Sequence, residues 1–215
     1  MVEGLIERMP GALGGGAAGA VLDKAGRADA LAIGPGLGTS GSTIEVIREI
    51  LQAVEVPVVI DADALTTLQG HTGILNTMRA PKVLTPHPGE LGRLLDMEPA
   101  EVDARRLELA GKYAVEWDAV LVLKGAPTVI GCPDGSVYIN TTGNSAMATG
   151  GSGDVLTGII AGLTAQGISL QEAALAGVYL HGLAGDLASG GTIGLAAGEI
   201  SGYLPQARRI VEQGE

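Results

Sequence analysis

Residues 30–63 read ALAIGPGLGTSGSTIEVIREILQAVEVPVVIDAD. A short apolar run, Ala30-Leu31-Ala32-Ile33, stops at Gly34-Pro35-Gly36-Leu37-Gly38. Ile44, Ile47, Ile50 and Leu51 then recur at helical spacing. A second apolar run, Val56-Pro57-Val58-Val59-Ile60, ends on Asp61-Ala62-Asp63. Strand, glycine turn, helix, strand describes a βαβ unit. Its strands are too continuously apolar for a sheet with one wet face, so helices must cover both sides.

The same phrase recurs downstream. Lys82-Val83-Leu84-Thr85 runs into Pro86-His87-Pro88-Gly89-Glu90, and Leu91, Leu94 and Leu95 open a helix. An amphipathic helix is expected over about 104–117, followed by the strand Val120-Leu121-Val122-Leu123, which ends in Lys124-Gly125. Thr128 to Ile130 and Val137 to Asn140 flank Cys132-Pro133-Asp134-Gly135, a β-hairpin pattern. From Asp154 onward the chain reads as helical. Val155, Leu156, Ile159, Ile160 and Leu163 form one face, Gly158 and Gly162 are expected to admit a close neighbour, and a second helix is expected over 170–187. The fold class expected is α/β, a three-layer αβα arrangement with a mostly parallel central sheet and a β-hairpin, forming one domain over 1–215.

Composition narrows the function. Thirteen Lys and Arg against 24 Asp and Glu leave a net charge of −11, which disfavours nucleic acid and anionic membranes as partners. The single cysteine excludes an internal disulfide and a cysteine-built zinc site. With 46% hydrophobic and 17% charged residues the chain has ample core material, but it has no Phe, one Trp and four Tyr. The core must therefore be aliphatic. The N-terminus lacks a secretory pattern, and the apolar stretch 155–171 is too rich in Gly, Thr and Gln for a bilayer span. A cytoplasmic location is expected.

Polar and glycine-rich clusters fall at four strand ends: 34–38, 61–63, 87–90 and 124–125. In open α/β sheets that edge binds ligands. Thr149-Gly150-Gly151-Ser152-Gly153-Asp154 precedes a helix. Backbone amides at such a start suit a phosphate, and Asp154 beside it can take a proton from an attacking hydroxyl. By spacing alone, an ordinary helix-opening turn explains these residues equally well. Gly36-Leu37-Gly38-Thr39-Ser40-Gly41, with Asp61 twenty residues beyond Gly41, also matches a dinucleotide-binding fingerprint, though Pro35 fits it poorly. Lys124 could meet a nucleotide phosphate as a point charge, and His87 sits between two prolines on a turn. His71 and His181 have no companion spacing and read as structural. No metal motif, Walker P-loop or G-x-S-x-G elbow is present.

Taken in order, five pieces resemble the NAD(P)H-hydrate dehydratase family, whose fold is ribokinase-like. They are Ile33-Gly34-Pro35-Gly36-Leu37-Gly38, Val59-Ile60-Asp61-Ala62-Asp63-Ala64-Leu65, Leu84 to Glu90, Leu123-Lys124-Gly125-Ala126-Pro127-Thr128, and Gly143-Asn144 through Leu156. The resemblance implies an enzyme that restores NADH or NADPH from its 6-hydroxy hydrate (NADHX or NADPHX). The hydroxyl is phosphorylated, phosphate then leaves, and ADP is the donor with ATP as the alternative. Magnesium would bridge the phosphates, and no protein metal-ligand set is assigned. By the same resemblance Asp154 is the base and also touches the substrate. Gly150, Gly151, Ser152 and Gly153 hold the transferring phosphate. Lys124, Gly125, Ala126, Pro127 and Thr128 contact the nucleotide, and Gly36, Gly38, His87 and Asn144 contact the hydrate.

A homo-oligomer, commonly a tetramer, is implied as well. Relative to the family pattern a leading strand and helix are expected to be missing, which would leave an open sheet edge and a reduced pocket. Gly14-Gly15-Gly16 receives no role. Three other readings remain: a ribokinase-like small-molecule kinase, a non-catalytic nucleotide-binding remnant, and a Rossmann dehydrogenase.

Overall fold

Alternate residues of each central strand enter different cores. Val58 and Ile60 join Leu84, Leu121 and Leu123 on one face of the sheet, and Val59 joins Val83, Val120 and Val122 on the other. A period of two places successive side chains on opposite faces, so an uninterrupted apolar run is what a doubly covered strand requires. The structure, a computed structural model, describes residues 4–191 and 194–214.

A small hairpin, β1 (Glu7–Met9) and β2 (Ala12–Leu13), precedes α1 (Ala17–Ala25). Next come β3 (Leu31–Ile33), α2 (Gly41–Ala53), β4 (Val58–Ile60), α3 (Ala62–Thr66), α4 (Gly73–Thr77) and β5 (Lys82–Leu84). They are followed by α5 (Pro88–Leu95), α6 (Pro99–Ala104), α7 (Arg106–Glu116), β6 (Val120–Leu123), β7 (Val129–Gly131) and β8 (Val137–Ile139). A 3-10 turn, Ser145–Met147, leads to α8 (Ser152–Thr164), α9 (Leu170–Ser189) and α10 (Ala197–Gln213).

The six-stranded sheet has the order β3-β4-β5-β6-β7-β8. β3 through β6 pair in parallel, and β7 and β8 return antiparallel as the expected hairpin. Sequential order with right-handed crossovers puts all the intervening helices on one face. Apolar residues of α2, α5 and α7 accordingly pack there, while α8 and α9 cover the other face with Leu156, Ile160, Ala173, Ala174 and Val178. Because four strands run parallel, the residues that follow them meet on one edge. β3 has β4 as its only strand partner among the described residues and so forms one border of the sheet.

Several local expectations change. The helix expected over about 104–117 is α7, Arg106–Glu116; the short α6 before it ends at Ala104, and Arg105 between them has a φ of −115°. Gly16 does have a role: it adopts φ +89° directly before the alanine-rich α1. Gly158 and Gly162 have no neighbour where a side chain would begin. The close approaches occur on α9 instead. A Cβ on Gly182 would lie 2.2 Å from Thr142 Oγ1, one on Gly185 2.2 Å from Met147 Sδ, and one on Gly177 2.9 Å from Ile160. The small-residue face of α9 thus packs within the chain. Trp117 caps the C-terminal end of α7, buried in the core with its ring 4.9 Å from that of Tyr113.

Candidate active site

The turn before α8 opens into the sheet edge. Gly151 is the residue before the helix and adopts φ +87°, a conformation costly for any side chain. The helix starts at Ser152, two residues earlier than the apolar pattern implied, which places Gly153 and Asp154 in its first turn. Their amides belong to the group that an α-helix leaves without internal partners, and the helix dipole adds partial positive charge.

Lys124, at the end of β6, reaches this turn. Its Nζ lies 2.7 Å from Asp61 Oδ1 and 3.7 Å from Glu90 Oε2. A Cβ on Gly153 would stand 3.2 Å from the same Nζ. Asp61 is 1% exposed and accepts a second hydrogen bond, at Oδ2, from Thr157 Oγ1 of α8 at 2.7 Å. Asp61 is therefore sealed beneath the turn and unavailable to a ribose, which removes the dinucleotide-fingerprint reading. Gly34 makes this seating feasible: a Cβ there would fall 1.8 Å from the Asp61 carbonyl oxygen.

Asp154 is exposed, and among the described residues nothing binds its carboxylate. It is the one charged lining residue of a cavity of about 410 Å³ beside β3, whose other walls include Leu13, Val21, Leu31 and Leu37. A free carboxylate in the first turn of the helix, facing a cavity, is placed to take a proton from a bound alcohol.

The remaining candidates hold the rim. His87 caps α5: its Nδ1 accepts from the amides of Gly89 at 3.0 Å and Glu90 at 3.3 Å, and Glu90 Oε2 accepts from the His87 amide at 2.7 Å. Nδ1 being an acceptor, the neutral ring carries its proton on Nε2, on an exposed side chain. Gly38 donates its amide to Asp63 Oδ2 at 2.8 Å, tying two strand-end loops together, and Gly36 faces open space. Asn144 lies farther along. Its Nδ2 donates to Asp186 Oδ1 and Ser189 Oγ, and its Oδ1 accepts from Ala146, so the side chain anchors the 143–147 loop to α9. In the stretch Lys124-Gly125-Ala126-Pro127-Thr128, residues 125–127 are exposed, and Thr128 Oγ1 hydrogen-bonds Gly125.

Two residues of this region escaped the sequence reading. His181 of α9, expected to be structural, lies with Nε2 3.3 Å from Ser152 Oγ at the start of α8. Burial pushes its imidazole down to about 4, and the Lys124 charge acts in the same direction, so the ring is neutral near pH 7. Arg106, at the start of α7, donates to the Pro127 carbonyl, pairs with Asp103 and packs its guanidinium against Gly125. Neither residue carries a spacing signal, because each reaches the site from a distant helix.

Among the described residues no cluster of three or more His, Cys, Asp or Glu could cage a metal. Asp61 and Glu90 are already engaged by Lys124. That donor set fits an ion held chiefly by phosphate oxygens and water, as magnesium usually is in phosphoryl-transfer sites.

A family profile described as NAD(P)H-hydrate dehydratase matches residues 5–206. The chain belongs to the NAD(P)H-hydrate dehydratase family. The bifunctional NAD(P)H-hydrate repair enzyme of Moorella thermoacetica is 51% identical over 215 residues, covering 99% of this chain and 41% of that enzyme. The chain thus spans about two fifths of the length of such bifunctional relatives. The ADP-dependent (S)-NAD(P)H-hydrate dehydratase of Bacillus subtilis is 40% identical over 200 residues, 91% of this chain and 69% of that one.

Among solved structures, the ADP/ATP-dependent NAD(P)H-hydrate dehydratase of B. subtilis, co-crystallised with ATP and Mg2+ and soaked with CoA, superposes with a TM-score of 0.74 at 36% identity, over 86% of this chain and 70% of that one. A ribokinase-like superfamily protein of Enterococcus faecalis gives 0.71 at 29% identity, over 88% of this chain and 66% of that one. The fold is ribokinase-like. No described helix is long and apolar enough to cross a membrane.

Proposed function

We propose that this chain restores NADH and NADPH from their 6-hydroxy hydrates, consuming ADP. The observation that carries the reading is the placement of Asp154: an unbound carboxylate facing a cavity, one residue from Gly153, beside whose Cα the Lys124 ammonium lies. A phosphoryl group seated on the amides of 150–153 would lie between the lysine and the aspartate. The ring hydroxyl of the hydrate then attacks the β-phosphorus of ADP, Asp154 receives its proton, and AMP leaves. The ring nitrogen's lone pair expels phosphate, and loss of the neighbouring carbon-bound proton restores the double bond. Hydrate and ADP give NAD(P)H, AMP, phosphate and a proton.

Conversion of hydroxyl to phosphate supplies the leaving group, and the site supplies position and charge neutralisation. Bound with the nucleotide, magnesium would neutralise charge on the phosphates. Lys124 to Thr128, held down by Arg106, would carry the nucleotide. Gly36, Gly38 and Asn144 would border the hydrate, and the Nε2–H of His87 would donate to it. ATP is the alternative donor. The reading further includes a cytoplasmic homo-oligomer, whose size light scattering would measure.

The direct test is incubation of the purified chain with hydrate, ADP and Mg2+. Regain of the reduced-nicotinamide absorbance, with AMP and phosphate released in equal amounts, is expected. Phosphorylation of a vitamin or sugar alcohol without that regain would make the chain a kinase. Nucleotide binding without either reaction would make it a binding remnant.

A further inference from the structure

Asp61 stood out in the sequence as a ribose-binding acid, and phosphoryl transfer at Asp154 leaves it without a task. Its surroundings suggest one. The carboxylate is 1% exposed and divides its oxygens between two elements: Oδ1 takes the ammonium of Lys124 from the end of β6, and Oδ2 takes the hydroxyl of Thr157 from α8, each at 2.7 Å. Thr157 lies one turn beyond Gly153, on the same face of α8. The ammonium rests against the backbone of Gly153, where a Cβ would approach it to 3.2 Å. Glu90 is the looser partner, at 3.7 Å.

A lysine is a compact charge on a flexible four-carbon stem, so something must choose its location. Here the tight contact is with Asp61. A buried ion pair is weak evidence for stability, since well-packed apolar groups do as well. As their charges cancel, the pair adds little net field at the phosphate turn, and what it contributes is placement.

We infer that Asp61 is a positioning residue: together with Thr157 it fixes the Lys124 ammonium against the first turn of α8, so that cation and amides meet the transferring phosphoryl group as one preset unit. This rests on the phosphoryl transfer proposed above.

The test is Asp61→Asn, which keeps the size and the contact to Thr157 but removes the charge that holds the lysine. Lys124 then retains Glu90 alone. The expected kcat falls by about tenfold or more, the scale on which small misplacements act. ADP affinity by calorimetry weakens by less than about twofold, because the uncancelled lysine charge now attracts the phosphates. A merely structural role would worsen kcat and KM together.

An independent readout uses isotope-labelled lysine. The Lys124 ammonium signal, assigned by its absence in Lys124→Arg, is visible in the wild-type chain and lost to solvent exchange in Asp61→Asn. Thr157→Val, which spares the ion pair, keeps the signal and loses part of kcat. It also serves if Asp61→Asn does not fold. An unchanged kcat in either variant would overturn the inference, as would an Asp61→Asn ammonium signal like that of the wild type. If the wild-type chain shows no dehydratase turnover, the proposed function falls, and the ammonium signal alone then decides the role of Asp61.

Discussion

Replacing Gly153 by alanine separates binding from folding. Alanine is favoured over glycine by about 0.5–1 kcal/mol in a helix interior, and by less in the first turn, where Gly153 stands. The new methyl meets Lys124 Nζ at 3.2 Å and Asp61 Oδ2 at 3.9 Å. The first contact is a few tenths of an ångström tighter than ordinary packing, and the end of a lysine yields easily. The fold therefore tolerates the change, with the helix gain offset by a strained ion pair. The proposed phosphate site should not tolerate it, because the methyl displaces the ammonium from beside Gly153. Losing one charged hydrogen bond to the phosphate costs about 1.5–3 kcal/mol, or roughly 10- to 100-fold in Kd. Calorimetry with ADP and Mg2+ measures the second effect, and a thermal scan measures the first. An ADP affinity equal to that of the wild type, in a chain that melts at the same temperature, would refute the proposed seating of phosphate on this turn.

Other substitutions address the rest of the site. Asp154→Asn should leave ADP affinity nearly intact and lower turnover by about 10²-fold or more, the range for losing a general base; single-turnover kinetics would show it. Lys124→Ala should weaken ADP binding and also cost about 3 kcal/mol of stability, because it leaves Asp61 buried and unpaired, as urea titration would report. His181 gives a pH signature. Its folded pKa of about 4 lies below the ordinary 6.5, so only the unfolded chain takes up the proton between those values. Stability from this group is complete above about pH 6.5 and falls by up to about 3 kcal/mol as pH drops toward 4. His181→Gln should flatten melting temperatures in that window, and an unchanged acid slope would contradict the buried neutral ring. Gly34→Ala, which drives a Cβ to 1.8 Å from the Asp61 carbonyl, should cost most of the soluble folded yield.

Much of the fold was legible because the sheet is doubly covered. The runs at 31–33, 58–60, 82–84 and 120–123 have no competing interpretation, and their turn residues collect on one edge as parallel strands demand. The hairpin announced itself through Pro133-Asp134-Gly135. What stayed hidden depends on contacts between distant segments. The partnership of Asp61 with Thr157 spans 96 residues, and that of Ser152 with His181 spans 29. Gly158 and Gly162 carried a packing signal, yet the tight contacts belong to Gly182 and Gly185, because a glycine's neighbour is set by the element opposite. The helix Ala197–Gln213 contains Pro205 and a mixed polar face, so it gave no clean period. The short helix Pro99–Ala104 before α7 was not read, because six residues are too few to show a helical period.

The placement of Trp117 has a practical consequence. It is the chain's single indole, and it sits at the end of α7 opposite Arg106, about 16 Å of helix away from that arginine, which packs on the 125–127 loop. Its emission will register loss of the aliphatic interior and stay silent when ADP arrives. A spectroscopist following intrinsic fluorescence would watch the scaffold melt and would need an added probe to see the pocket fill.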